Sequence, residues 1–143
     1  MFSIKQATEG DVGVLQSMNE VFKLPQYPSS SLWSSKNFIE SSVEQGNAWI
    51  ARLDGIGVGS VIMCHGDGVS WIKTISVDLK QRRKGIGRLL ISTAIMLAKL
   101  KGHHTLGVVT GRAYDASPFY AQVGFHLVAE TDLDLHFRMS LRS

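Results

Sequence analysis

Short β-branched runs set off by glycine turns, with one long amphipathic stretch among them, predict an α/β (α+β) fold. The expected core is a mixed, mostly antiparallel sheet of about seven strands flanked by helices on both faces. Three observations carry this. Residues 74–101 read as a strand end, a basic turn with two glycines, and a helix, followed by another strand at 105–110, and a helical crossover of that kind joins parallel strands. The remaining runs are joined by hairpin signals, Asp54-Gly55 and Gly66-Asp67-Gly68. With 143 residues, 44% of them hydrophobic and 19% charged, the chain suits a single domain over 1–143 with a real core.

In chain order, residues 2–7 form a first strand. Thr8 or Asp11 caps a helix carrying Val12, Leu15, Met18, Val21 and Phe22 at helical spacing, and Pro25 and Pro28 stop it. A serine-rich loop at 29–35 holds Leu32 and Trp33. A second helix spans 35–45, with Phe38, Ile39 and Val43 on one face. Strands follow at 48–53, 56–64 and 69–77. Gly55, Gly57 and Gly59 alternate with period two, which predicts small residues on one strand face beneath something bulky. The long helix carries Ile86, Leu89, Leu90, Thr93, Ile95, Met96, Leu97 and Leu100, and Gly102 ends it. Pro118 suits the first turn of a short helix capped by Ser117 and ended near Gly124. Residues 125–130 and 135–141 form a final antiparallel pair.

The turn Arg82-Arg83-Lys84-Gly85-Ile86-Gly87-Arg88 lies between a strand and a helix start, where backbone N–H groups and the positive end of the helix dipole face one volume. That is a site for a pyrophosphate-like anion. The spacing excludes a Walker A loop. It also excludes a Rossmann fingerprint, because the third glycine position is Leu90 and the next strand offers no ribose-binding acid. Five of the fifteen basic residues, Lys80, Arg82, Arg83, Lys84 and Arg88, fall in this stretch, with no acid among residues 79–88. The net charge of +3 is therefore local and favours a small polyphosphate over nucleic acid.

The Arg/Gln-x-x-Gly-x-Gly pattern of this turn resembles the acetyl-CoA pyrophosphate loop of the GNAT superfamily of N-acetyltransferases. The later run Ser117-Pro118-Phe119-Tyr120-Ala121-Gln122-Val123-Gly124-Phe125 resembles that family's FY…GF segment, in the same order and at similar spacing. The resemblance implies a GNAT-like domain with a V-shaped splay between the fourth and fifth strands. It implies acetyl transfer from acetyl-CoA to a primary amine of a small molecule or peptide, by direct attack in a ternary complex, without a metal. Residues 82–88 would hold the pyrophosphate. The backbone of Ile75, Ser76 and Val77 would bind the pantetheine arm, with the Val77 N–H near the thioester oxygen. Tyr120 would be the general acid, since a phenol with a pKa of about 10 stays protonated at neutral pH.

Two positions depart from the family pattern. The strand 69–77 contains no acid where many relatives have a general base, leaving Asp67, His65, Asp115 or a water relay. Ala113 stands where many relatives have an asparagine that contacts the cofactor. The missing base keeps a second reading open, a non-catalytic acyl-CoA-binding regulatory module. Tyr27 and Trp33 fall in the loop that often lines the acceptor pocket in such proteins, and plain packing is an equal reading. His103-His104 reads as a helix-end cap or a solvated pair, Cys64 as a buried small hydrophobe, and Trp49 and Trp71 as core. The single cysteine, the lack of an apolar leader in Met1-Phe2-Ser3-Ile4-Lys5, and the absence of a membrane-length apolar run point to a cytoplasmic setting with no membrane partner. The family includes many dimers, so a homodimer stays open.

Overall fold

A computed structural model describes residues 1–142; Ser143, the last residue of the expected domain, lies outside them. Seven strands form one sheet: β1 (Phe2–Gln6), β2 (Ala48–Leu53), β3 (Ile56–Gly66), β4 (Val69–Val77), β5 (Thr105–Gly111), β6 (His126–Glu130) and β7 (Asp134–Ser140). Their order is β1-β2-β3-β4-β5-β7-β6. β4 and β5 are parallel, as the helical crossover requires, β2–β3 is antiparallel, as the Asp54-Gly55 signal requires, the expected final pair β6–β7 is antiparallel, and so are β1–β2 and β5–β7. The α-helices are α1 (Val12–Asn19), α2 (Lys36–Glu44), α3 (Ile86–Leu100) and α4 (Ser117–Gln122). The chain divides into two compact units. One comprises Met1–Met63 with Thr74–Leu90, and the other Cys64–Lys73 with the chain from Ile91 on.

In the first unit, a Thr8–Asp11 capping box opens a short 3-10 turn that runs into α1, and Asp11 also pairs with Arg52 of β2 at 2.6 Å. The core here joins Ala7, Leu15, Ile39, Val43, Ala48, Ile50 and Ile62, with Val12, Met18 and Phe38 packed against it. The expected serine-rich loop is instead a 3-10 helix, Pro28–Ser34, whose Ser30 and Ser34 are buried. Ser30 explains the order: its hydroxyl accepts from Leu24 N–H at 3.0 Å and donates to Leu24 O at 3.2 Å, closing the segment on itself. Ser35 caps α2 by accepting from Phe38 N–H.

The glycine alternation in β3 needs correction. Ala51 pairs with Gly59 and Arg52 with Gly57, so Val58 is an inserted bulge residue. The bulge turns Gly57 and Gly59 to opposite faces. A Cβ on Gly57 would stand 2.7 Å from Met18 of α1, whereas one on Gly59 would meet Ser76 O at 2.8 Å and Ile86 and Leu90 of α3 at 3.2 Å. Each glycine lies beneath a bulky helix residue, but the two helices cover different sides.

In α3 the buried stripe is Ile86, Leu90, Ile91, Ala94 and Ala98, whereas Leu89, Met96 and Leu100, assigned to the stripe from sequence, are exposed. Two alanines permit close packing that a leucine count does not reveal. The helix ends in a Schellman motif: His103 N–H bonds Ala98 O at 3.0 Å, Gly102 N–H bonds Lys99 O at 2.9 Å, and Gly102 has φ +77°. In α4, Ala116 rather than Ser117 occupies the cap position, without a side-chain bond; Pro118 lies in the first turn. Cys64, expected to be buried, is exposed, because β3 runs on past its buried stretch at Met63. Among the described residues no helix is long and apolar enough to cross a membrane.

Gly59→Val places branched carbons against a backbone oxygen and two buried side chains. We expect it to destabilise the protein by about 1–3 kcal/mol or more, read as a lower urea midpoint at unchanged slope. An unchanged midpoint would mean that α3 does not depend on the missing Cβ.

Candidate functional site

The phosphate-loop candidates Arg82, Arg83, Lys84, Gly85, Ile86, Gly87 and Arg88, and the strand residues Ile75, Ser76 and Val77, all lie in the first unit. β4 ends at Val77, and Asp78 N–H bonds Val58 O at 2.8 Å, anchoring the exit from the strand. A 3-10 turn, Leu79–Gln81, follows, capped by the Asp78 carboxylate on Lys80 N–H. Arg83 then adopts φ +66° and Gly85 φ +83°. Gly85 is required by that conformation rather than by space, since a Cβ there would meet nothing within 4 Å.

Two features of the turn suit it to an anion. The first bond into α3 runs from Leu89 N–H to Gly85 O at 3.1 Å, so the N–H groups of Ile86, Gly87 and Arg88 lack intrahelical acceptors. Among residues 79–88 every charge is positive, and the Asp78 carboxylate just before them accepts from Lys80 N–H. Lys80, Arg82, Arg83, Lys84 and Arg88 are exposed, and none has a carboxylate partner among the described residues. Lys84 bonds the Gln81 amide at 3.1 Å, and Arg82 Nε reaches Val77 O at 3.4 Å. Cations at a helix N-terminus oppose the dipole. An unliganded turn of this kind is electrostatically frustrated, and a polyphosphate would relieve the frustration.

Along β4 the side chains alternate in burial. The Ser76 hydroxyl is buried and shares a 2.8 Å hydrogen bond with Ser60 of β3, which fixes the strand next to the turn.

Tyr120 belongs to the second unit. Its ring is 4% exposed and packs edge-on to Phe119 and Phe125, with centroids at 5.3 and 5.5 Å, and tilted against Phe137 at 5.6 Å. Burial raises its pKa well above the usual phenol value, so the hydroxyl stays protonated at any physiological pH. The acidic turn at 130–134 is tied down: Arg112 pairs with Glu130, its Nε bonds Thr131 O at 3.1 Å, and its N–H bonds Leu133 O at 2.8 Å. A structural role accounts for that turn.

A cluster that sequence reasoning did not assemble lies in the same unit. The buried Ser70 hydroxyl is 2.7 Å from His65 Nδ1 and 3.0 Å from His103 Nδ1. One hydroxyl proton serves one ring while the oxygen accepts from the other, so two neutral rings here carry opposite tautomers. The signal was present: Asp67 and Gly68, both at positive φ, form a two-residue hairpin turn that brings His65 opposite Ser70. His103 is therefore more than a helix cap, and His65 serves this network. Trp33 packs edge-on to Phe38 at 5.3 Å, and its carbonyl accepts from the buried Asn19 amide at 2.7 Å, while Tyr27 lines a recess with Lys23, Leu24, Pro25 and Pro28.

Residues 44–127, more than half of the chain, match the model of the acetyltransferase (GNAT) domain, and the protein belongs to that family. Over 60 residues it is 35% identical to the rat (Rattus norvegicus) N-acetyltransferase family 8 member 3, a match that spans 41% of this chain and only 26% of the relative. The fold resembles that of the PaiA N-acetyltransferase of Thermoplasma acidophilum, solved in complex with coenzyme A, with a TM-score of 0.85 at 16% identity over 98% of this chain and 99% of that one. It also resembles Ard1 from Thermoplasma volcanium, with a TM-score of 0.83 at 16% identity over 99% of both chains.

The His65 pKa is lowered, first by burial and then by the charges of Lys101 and His103. The unfolded chain therefore takes up this proton before the folded one as pH falls. Stability is at its full value above the ordinary histidine pKa of 6.5 and declines as pH drops through and below it. His65→Asn should flatten that decline in urea titrations at pH 7.5 and 5.5. An equal decline in the variant would assign the effect to another group.

Proposed function

We propose that the chain transfers an acetyl group from acetyl-CoA to a primary amine of a small molecule or peptide, by direct attack in a ternary complex. The observation that carries this reading is the set of unpaired cations gathered on the glycine turn at the N-terminus of α3, in a chain of the GNAT family. The residues fit a pyrophosphate: backbone donors from 86–88, cations at 82–84 and 88, and no acid among residues 79–88. The coenzyme A bound to the Thermoplasma acidophilum protein supports the same ligand here.

The amine nitrogen attacks the thioester carbonyl carbon, and the developing oxyanion is met by the Val77 N–H, a backbone donor that needs no reorganisation. The C–S bond then breaks. The thiolate takes the phenolic proton of Tyr120, the proton shed by the attacking amine passes to water, since β4 carries no carboxylate, and water then returns a proton to the phenolate. The aromatic packing of Tyr120 keeps the phenol in its donating form.

Acetyl-CoA or CoA at about a hundred times its Kd should add roughly 2.7 kcal/mol of stability and raise Tm by a few degrees, while ATP and NADH at the same concentration do not. No shift with either CoA species would overturn the reading. Tyr120→Phe should keep that shift and lower turnover on the order of a hundredfold. Unchanged turnover would remove Tyr120 from the mechanism, and CoA binding with no transfer to any amine would favour the non-catalytic acyl-CoA-binding module.

A further inference from the structure

Three segments of the second unit meet at one hydroxyl. Ser70 stands near the start of β4, His65 near the end of β3, and His103 just past α3. The His103 backbone N–H closes the end of α3 on Ala98 O at 3.0 Å, and Ser70 lies in register with Leu106 of β5. The Ser70 hydroxyl therefore ties the β3–β4 hairpin to the chain that leads from α3 into β5.

The two contacts differ in length in the direction that their donors require. Bonds donated by a hydroxyl run shorter than those donated by an N–H. His65 Nδ1 is 2.7 Å from the oxygen and His103 Nδ1 is 3.0 Å from it, so Ser70 donates to His65 and His103 donates to Ser70. Burial and the charges of Lys101 and His103 lower the His65 pKa, which also makes His65 the neutral, accepting ring. One proton can then be added without breaking a bond. It goes to Nε2 of His103, whose Nδ1–H keeps donating to Ser70.

The second proton has no such place. It must go to His65 Nδ1, which until then accepts from Ser70. Both rings would point an N–H at the same oxygen, and the serine proton would be left without an acceptor at a residue that is 0% exposed. The surrounding charges oppose the second proton as well. Lys101 acts on His65, and Lys99, His104 and Arg142 line an open recess with His103. Neither ring has a carboxylate partner among the described residues, and Asp67 in the hairpin turn is exposed. The ring centroids are 6.1 Å apart, so two imidazolium charges would also repel each other.

We propose that His65, Ser70 and His103 form a latch worked by protons: it stays closed with one proton added to the two rings and opens with the second, freeing the β3–β4 hairpin from the chain between α3 and β5. Acid loosens this corner of the second unit. The latch requires nothing of the acetyl-transfer reading, and its test needs no acetyl-CoA.

Histidine ring 15N resonances read the protons directly. With both rings neutral, His65 should carry its proton on Nε2 and His103 on Nδ1, and on acidification the first proton should go to His103. Amide exchange, corrected for its intrinsic pH dependence, reads the opening. Once freed, His65 titrates at its ordinary value of 6.5. Residues 64–70 and 103–106 should therefore be about tenfold less protected at pH 5.5 than at pH 7.5, while β2 keeps its protection. His65→Asn offers Ser70 an amide oxygen that takes up no proton, and in that variant the same segments should stay protected at pH 5.5. Identical tautomers on the two rings, full protection with both rings charged, or an equal loss of protection in His65→Asn would overturn the latch. If the variant does not fold, the tautomers and the exchange of the wild-type protein still decide.

Discussion

The start of α3 can lie against β3 and β4 only because position 59 has no Cβ. An added carbon would stand 2.8 Å from the Ser76 carbonyl oxygen and 3.2 Å from Ile86 and Leu90. The oxygen belongs to the backbone and cannot swing aside, so the contact admits nothing larger than hydrogen. The geometry of the following turn depends on it. With Ile86 and Leu90 seated, the first free N–H groups of the helix are held just past the end of β4, and the left-handed residues Arg83 and Gly85 bring the chain round to them. Ser60 and Ser76 close the same junction from within by a buried hydroxyl pair.

Electrostatically, the turn is arranged against its own stability. Helix N-termini favour acids, and α3 has none in its first turn. Arg83 also holds a conformation that non-glycine residues seldom adopt. Local cost concentrated in one exposed segment, next to a well-packed junction, is the usual mark of a place shaped for something other than stability. The Ser70 network differs, because both of its rings have a partner.

Much of this was legible in the sequence. The strand bounds of β2 and β4, the basic turn and the crossover helix followed from hairpin signals, β-branched runs and glycine placement, all of them local. What escaped depended on contacts between distant residues. The buried stripe of α3 could not be read from hydrophobicity, because Ala94 and Ala98 are inside and Leu100 is outside. The 3-10 helix at 28–34 is held by serine hydroxyls that look like loop residues until their acceptors are known. Ser70 is an unremarkable strand serine until β3 and the end of α3 bring His65 and His103 to it. Gly107 likewise gains meaning only from Trp71 and Arg138, which lie 36 residues before it and 31 after it and stack across its bare backbone.

The bulge at Val58 bears on how this chain can be compared with others. One inserted residue changes which side of the sheet each later position of β3 faces relative to β2, so the two ends of the strand obey opposite inside–outside parities. An ungapped alignment that crosses position 58 onto a regular strand would match inward positions to outward ones. Identity scored across such a strand then understates the kinship of two proteins whose cores agree. Losing that single residue would be a larger event than almost any substitution there, because it would invert a whole strand end at once.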